Sequence, residues 1–138
     1  MREADDGCDD IILETREDLN MFLTSSKYEF TILKFHADWC KPCKSIAPFV
    51  HELIEEKINY FDKMNVKNKF IFVEVDVVEC FDLYAFLKKR KMINGIPALF
   101  LYSKSIYSKA DPKEIYIPHG SISGTNQDEI RKVLDYIK

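Results

Sequence analysis

The pair in Cys40-Lys41-Pro42-Cys43 lies between two runs of different period, and this constrains the chain more than any other feature. Before it, Phe30 to Ala37 (FTILKFHA) is β-branched and aromatic and too apolar on both faces for a half-exposed strand, which predicts a central strand. After it, Ile46, Ala47, Val50, Leu53, Ile54 and Ile58 recur at three- and four-residue steps, which predicts an amphipathic helix from Cys43 to about Phe61, kinked at Pro48. The cysteines thus fall where a strand gives way to a helix start. There the free N–H groups and the helix dipole favour thiolate over thiol, so Cys40 is the candidate nucleophile. Cys43, one turn further in, is placed to attack a mixed disulfide and release the product as a dithiol, the role of a resolving cysteine.

Two blander readings stand beside this one. Zinc ribbons use the same spacing, but zinc needs four ligands, and the other cysteines, Cys8 and Cys80, are single, with no second CxxC and no HxxxH. No metal and no cofactor are expected. The second is a pair of reduced cysteines on a helix with no redox role.

The rest of the chain alternates. Ile11-Ile12-Leu13 reads as a short strand, Arg16 to Ser25 as a helix with Leu19, Phe22 and Leu23 on one face, Lys69 to Val78 as a strand, and Phe81 to Lys89 as a helix. Ala98 to Tyr102 and Glu114 to Pro118 (EIYIP) read as two strands joined by a long polar connection expected to be mobile. A last helix carries Ile130, Val133, Leu134 and Ile137. This order implies an α/β domain over 11–138, a mixed sheet with helices on both faces, preceded by an acidic tail over 1–10.

A net charge of −3 argues against nucleic acid as a partner, and no apolar run is long enough to span a membrane. The opening residues lack the apolar core of a secretory signal, so a cytoplasmic location is expected, with a targeting segment already removed left open.

Three motifs carry a family resemblance. Phe35-His36-Ala37-Asp38-Trp39-Cys40-Lys41-Pro42-Cys43-Lys44 with Ile46-Ala47-Pro48 resembles the active-site strand and helix of thioredoxins, Asn94-Gly95-Ile96-Pro97-Ala98 resembles their cis-proline loop, and His119-Gly120-Ser121 resembles their third substrate-facing loop. The resemblance implies a thioredoxin fold and a thiol–disulfide oxidoreductase that reduces protein disulfides through Cys40 and Cys43. It implies a substrate peptide lying over Trp39 and Pro42 and pairing near Ile96, with Lys41, Pro97, Gly120 and Ser121 at the rim. It further implies disulfide-bearing client proteins and a thioredoxin reductase or equivalent electron donor as partners of a monomer. A disulfide oxidase or isomerase, and a binding module in a larger assembly, are the alternative readings; the long Tyr102 to Ile115 connection keeps the last in view.

The chain also departs from that family. Lys41 occupies a place where thioredoxins generally carry glycine, and a cation there would lower the Cys40 pKa. Lys34, six residues before Cys40, stands where the family usually buries an acid. A buried ammonium must be paired, and Glu74 on the neighbouring strand is the natural partner, with a possible role as proton relay near Cys43. Cys80 lies where some eukaryotic thioredoxins have an extra cysteine and reads as a buried structural thiol or a regulatory one. Cys8, His36 and His119 receive no role, and Lys88-Lys89-Arg90-Lys91 reads as a solvated helix end.

Overall fold

The computed structural model describes residues 13–138. Its elements are α1 (Arg16–Ser25), β1 (Phe30–His36), α2 (Lys41–Lys63), β2 (Phe70–Asp76), α3 (Phe81–Lys89), β3 (Ala98–Ser103), α4 (Lys104–Tyr107), a 3-10 turn (Pro112–Glu114), β4 (Gly120–Ser123) and α5 (Gln127–Leu134). The acidic tail, and Ile11 and Ile12 of the expected first strand, lie outside the described residues; Leu13 is buried.

The described strands form one mixed sheet in the order β2-β1-β3-β4, with β1 and β2 parallel and the other pairs antiparallel. β1 is therefore an inner strand, and every residue from Phe30 to Phe35 is buried. This accounts for an apolar run without alternation, because both of its faces are covered. Leu33 and Phe35 pack in one core with Leu19 and Leu23 of α1 and Leu83 and Leu87 of α3. Ile32 packs in the other with Ile46, Val50 and Ile54 of α2 and Ile130 and Leu134 of α5. Helices thus cover both faces. The parallel step from β1 to β2 requires a crossover, which α2 supplies, and α2 brings its first turn back to the end of β1.

Local chemistry sets the helix ends. Thr15 accepts a hydrogen bond from the Asp18 N–H while the Asp18 carboxylate accepts one from the Thr15 N–H, a reciprocal cap that starts α1. Asn126 accepts from the Glu129 N–H and starts α5.

The segment 114–118 is not a strand. Ile115 and Tyr116 are buried, but Tyr116 packs edge-on against Phe86 of α3 at 5.0 Å, and its carbonyl accepts from the Tyr102 hydroxyl at 2.7 Å. The open edge of β3 is taken instead by Gly120–Ser123. The connection expected to be mobile holds α4 and the 3-10 turn, and the Tyr107 hydroxyl donates to the Leu23 carbonyl at 2.7 Å in the core.

Candidate active site

β1 ends at His36, and a tight turn closed by the Cys40 N–H donating to the Ala37 carbonyl at 3.1 Å leads into α2. Cys40 is the N-cap: its backbone is extended and its sulfur accepts from the Cys43 N–H at 3.2 Å. Lys41 and Pro42 follow in the first turn, where a proline's missing N–H leaves no helical bond unmade. The two cysteines form a disulfide with Cα atoms 5.3 Å apart, within the ordinary range for such a bond. Both are buried, at 4% and 3% exposure, whereas Trp39, Lys41 and Pro42 around them are exposed, Trp39 at 69%.

The wall facing the disulfide is the loop before β3. The Ile96–Pro97 peptide bond is cis, and the Ile96 carbonyl oxygen lies 3.7 Å from Cys40 Sγ. Next to this loop stands the end of β4, but not through the residues singled out in the sequence. Ser123 pairs with Ala98, and the Gly124 N–H donates to the Pro97 carbonyl at 2.8 Å. Gly120 and Ser121 pair with Leu101 and Phe100, so Gly120 sits about 10 Å farther along the strand. The third loop at the dithiol is therefore Ser123-Gly124. Its signal in the sequence is a glycine two residues before the polar N-cap Asn126 of the last helix, and Gly124 uses the freedom with φ +113°.

Lys34 and Glu74 are register partners across β1 and β2, and Lys34 Nζ lies 3.4 Å from Glu74 Oε1. Lys34 is 3% exposed and Glu74 is half-buried. The same carboxylate oxygen lies 3.2 Å from Nε2 of His51, an exposed residue of α2 for which the sequence held no signal. Burial pushes the Glu74 carboxyl up, but the His51 hydrogen bond and the charges of Lys34, His51 and His36 outweigh it and hold it below its ordinary value. The expected relay has no direct contact to run through. Glu74 bonds to Lys34 and His51, and no hydrogen bond joins it to either cysteine.

Cys80 is a free, buried thiol at the N-cap of α3, and burial pushes its pKa up. His119 sits edge-on to Tyr136 at the outer side of β4, and the Lys88 to Lys91 run is exposed. Among the described residues no cluster of His, Cys, Asp and Glu could hold a metal ion.

A cysteine pair capping a long helix, set against a cis proline at one end of a mixed sheet, defines a dithiol–disulfide domain of the thioredoxin type. Comparison with known proteins agrees. The thioredoxin family model matches residues 10–116, and the chain belongs to the thioredoxin family. It is similar to rabbit (Oryctolagus cuniculus) thioredoxin, 34% identical over 73 residues that cover 53% of this chain and 60% of that protein. Human thioredoxin is also 34% identical, over 71 residues covering 51% and 58%. The matched stretch thus spans about three-fifths of these curated relatives. The solved structure of Fasciola hepatica thioredoxin superposes with a TM-score of 0.58 at 22% identity, covering 92% of this chain and 98% of that one, a likeness of fold.

Proposed function

We propose that the chain is a thiol–disulfide oxidoreductase that reduces disulfides of client proteins. The observation that carries this is the Cys40–Cys43 disulfide itself, at a helix start and facing the cis Ile96–Pro97 bond. In the reduced form Cys40, at the helix N-terminus, attacks one sulfur of the substrate disulfide as the thiolate, and the other substrate sulfur leaves as a thiolate. Cys43 then attacks Cys40 Sγ, the mixed disulfide breaks, and the substrate departs fully reduced while the chain is left oxidised. The substrate strand lies over the exposed Trp39 and Pro42 and pairs with backbone at Ile96, beside Lys41 and the Ser123-Gly124 turn.

An external dithiol donor, a thioredoxin reductase or its equivalent, returns the two electrons, and a reducing compartment such as the cytoplasm suits that cycle. A second reading, oxidase or isomerase, is favoured by the exposed Lys41 beside Cys40, since a nearby cation stabilises the thiolate of the reduced pair.

The test is reduction of a protein disulfide, insulin with a chemical dithiol as donor, by the full chain and two variants. Cys40→Ser should abolish turnover. Cys43→Ser, reduced, freed of the chemical dithiol and then mixed with insulin, should accumulate a mixed disulfide at Cys40 that mass spectrometry detects. Undiminished turnover in a Cys40→Ser, Cys43→Ser double variant would remove the dithiol from the reaction.

A further inference from the structure

Three exposed apolar side chains stand at the dithiol end of the sheet: Trp39 at 69% exposure, and Val78 and Phe81 at 62% each. The proposed mechanism uses only the first. β1 and β2 run parallel with His36 opposite Asp76, so the turns that follow them leave the same end of the sheet from strands about 4.8 Å apart. One turn carries Trp39 and ends in Cys40, the N-cap of α2; the other carries Val78 and ends in Cys80, the N-cap of α3, whose first residue is Phe81. The Val77 N–H donates to the His36 carbonyl at 2.9 Å, and beneath both turns Ala37, Cys40, Val77 and Cys80 share one apolar core. The second turn is therefore continuous with the surface around the dithiol.

Hydrogen bonds set the backbone of that turn. The Asp76 carboxylate accepts from the Val78 N–H at 2.8 Å and the Glu79 N–H at 3.4 Å, and the Cys80 N–H donates to the Asp76 carbonyl at 2.8 Å. Val78 and Phe81 are thus presented on backbone that a partner does not have to order. A single exposed apolar residue is ordinary, but a group of them beside a reactive site marks an interaction surface. Each of the three also has an exposed acid next to it in sequence: Asp38 before Trp39, Glu79 after Val78 and Asp82 after Phe81. No Lys or Arg falls between Val77 and Leu87; the Lys88 to Lys91 run lies at the other end of α3, and Lys41 and Lys44 belong to α2.

We propose that Val78 and Phe81 extend the client face beyond Trp39, and that this face selects clients with an apolar side chain next to a Lys or Arg close to the reacting cysteine. The inference rests on the reductase reading above and gives the chemistry of the client that such an enzyme prefers. The occupant is the polypeptide around the attacked disulfide, because the patch begins at Trp39, which that polypeptide already crosses. Its apolar side chain covers Phe81 and Val78, and its cation reaches Glu79 and Asp82 with the methylene stem over the same apolar surface.

The test uses the full chain, reduced in advance and freed of donor, in single-turnover reduction of three disulfides. One is a peptide with Phe-Lys on both sides of its disulfide, the second the same peptide with Ser-Glu there, and the third hydroxyethyl disulfide, too small to reach the patch. In a Val78→Ser, Phe81→Ser variant the rate with the Phe-Lys peptide, relative to that with hydroxyethyl disulfide, should fall about four- to tenfold, the effect of uncovering about half of a large apolar side chain. Phe81→Leu should keep most of that rate. Glu79→Gln, Asp82→Asn should lower it about two- to fivefold at low salt, the range of exposed ion pairs, and should leave the Ser-Glu peptide no slower. An unchanged ratio in the Val78→Ser, Phe81→Ser variant, or equal losses with both peptides, would overturn the selectivity while leaving the reductase intact. A concentration-dependent dimer that the same variant dissolves, with its peptide rates unmoved, would give the patch to a second copy of the chain and overturn the proposal. Failure of the unaltered chain to reduce any of the three disulfides would overturn both readings.

Discussion

Cys80 and Glu74 are held in opposite protonation states, the thiol by burial and the carboxylate by its partners against burial. Desolvation pushes the Cys80 thiol up, and the nearby Glu79, Asp76 and Glu14 carboxylates add to this against a hydrogen bond with the Leu13 backbone. A protonated, buried thiol is a poor nucleophile. Iodoacetamide added to the folded, reduced protein at neutral pH should therefore modify Cys40 while Cys80 stays unmodified until denaturant is added, as peptide mass spectrometry would report. Comparable labelling of both in the folded state would contradict the raised pKa of the Cys80 thiol. Glu74 is depressed instead, so its sign is the reverse: the charged carboxylate contributes stability above its unfolded value near 4.5, and this is lost as pH falls through the lower folded value. The urea midpoint of the full chain should exceed that of Glu74→Gln at pH 7, and the gap should narrow below about pH 4.5 as both forms become neutral at this site. A gap constant from pH 7 to pH 3 would show that the ion pair contributes nothing through charge. Lys34 and Glu74 were legible as partners because strand periodicity and a resemblance set the register. His51 was not, since an exposed histidine on a helix carries no local mark of what lies across from it.

At the scale of elements, the helices and the inner strands were readable because their apolar periods are long and unbroken. α1 and α3 fall on Arg16–Ser25 and Phe81–Lys89 as expected. The edge strand was misread for a physical reason. Ile115, Tyr116 and Ile117 have the β propensity that Gly120-Ser121-Ile122-Ser123 lacks, yet propensity measures fit to a half-buried surface rather than pairing. Ile115 and Tyr116 find that burial beside α3, and the weaker segment receives the hydrogen bonds of the sheet edge. The displaced strand also moves the third loop, from the expected Gly120 and Ser121 to Ser123 and Gly124. Tyr102 ties this region to β3 through its hydroxyl, which donates to the Tyr116 carbonyl in the core. Tyr102→Phe would leave that carbonyl buried and unpaired, so it should cost about 1–3 kcal/mol in urea denaturation. The cap at α5 is more exposed, and Asn126→Ala should cost about 1 kcal/mol. A Tyr102→Phe variant as stable as the parent would mean that water reaches the carbonyl and that the segment is less firmly seated than its contacts show.

For the whole molecule, folding and redox state are two sides of one thermodynamic cycle. The difference in folding stability between oxidised and reduced protein must equal the difference in reduction free energy between the folded pair and the same pair in an unfolded chain. Closing the short loop from Cys40 to Cys43 constrains the unfolded chain and should make the oxidised form more stable by about 2 kcal/mol in the chain-entropy account. The helix N-terminus and the exposed Lys41 act the other way, because they stabilise the thiolate present only in the reduced, folded protein. The balance decides the direction of electron flow, and about 1.4 kcal/mol of it corresponds to 30 mV for this two-electron couple. The proposed reductase requires the oxidised form to win. In a Cys8→Ser, Cys80→Ala variant, where Cys40 and Cys43 are the remaining thiols, urea unfolding of the oxidised protein should show the higher midpoint, by about 1–2 kcal/mol. A reduced form more stable than the oxidised one would mean that the fold holds its disulfide at a disadvantage, and such a pair passes disulfides to its clients.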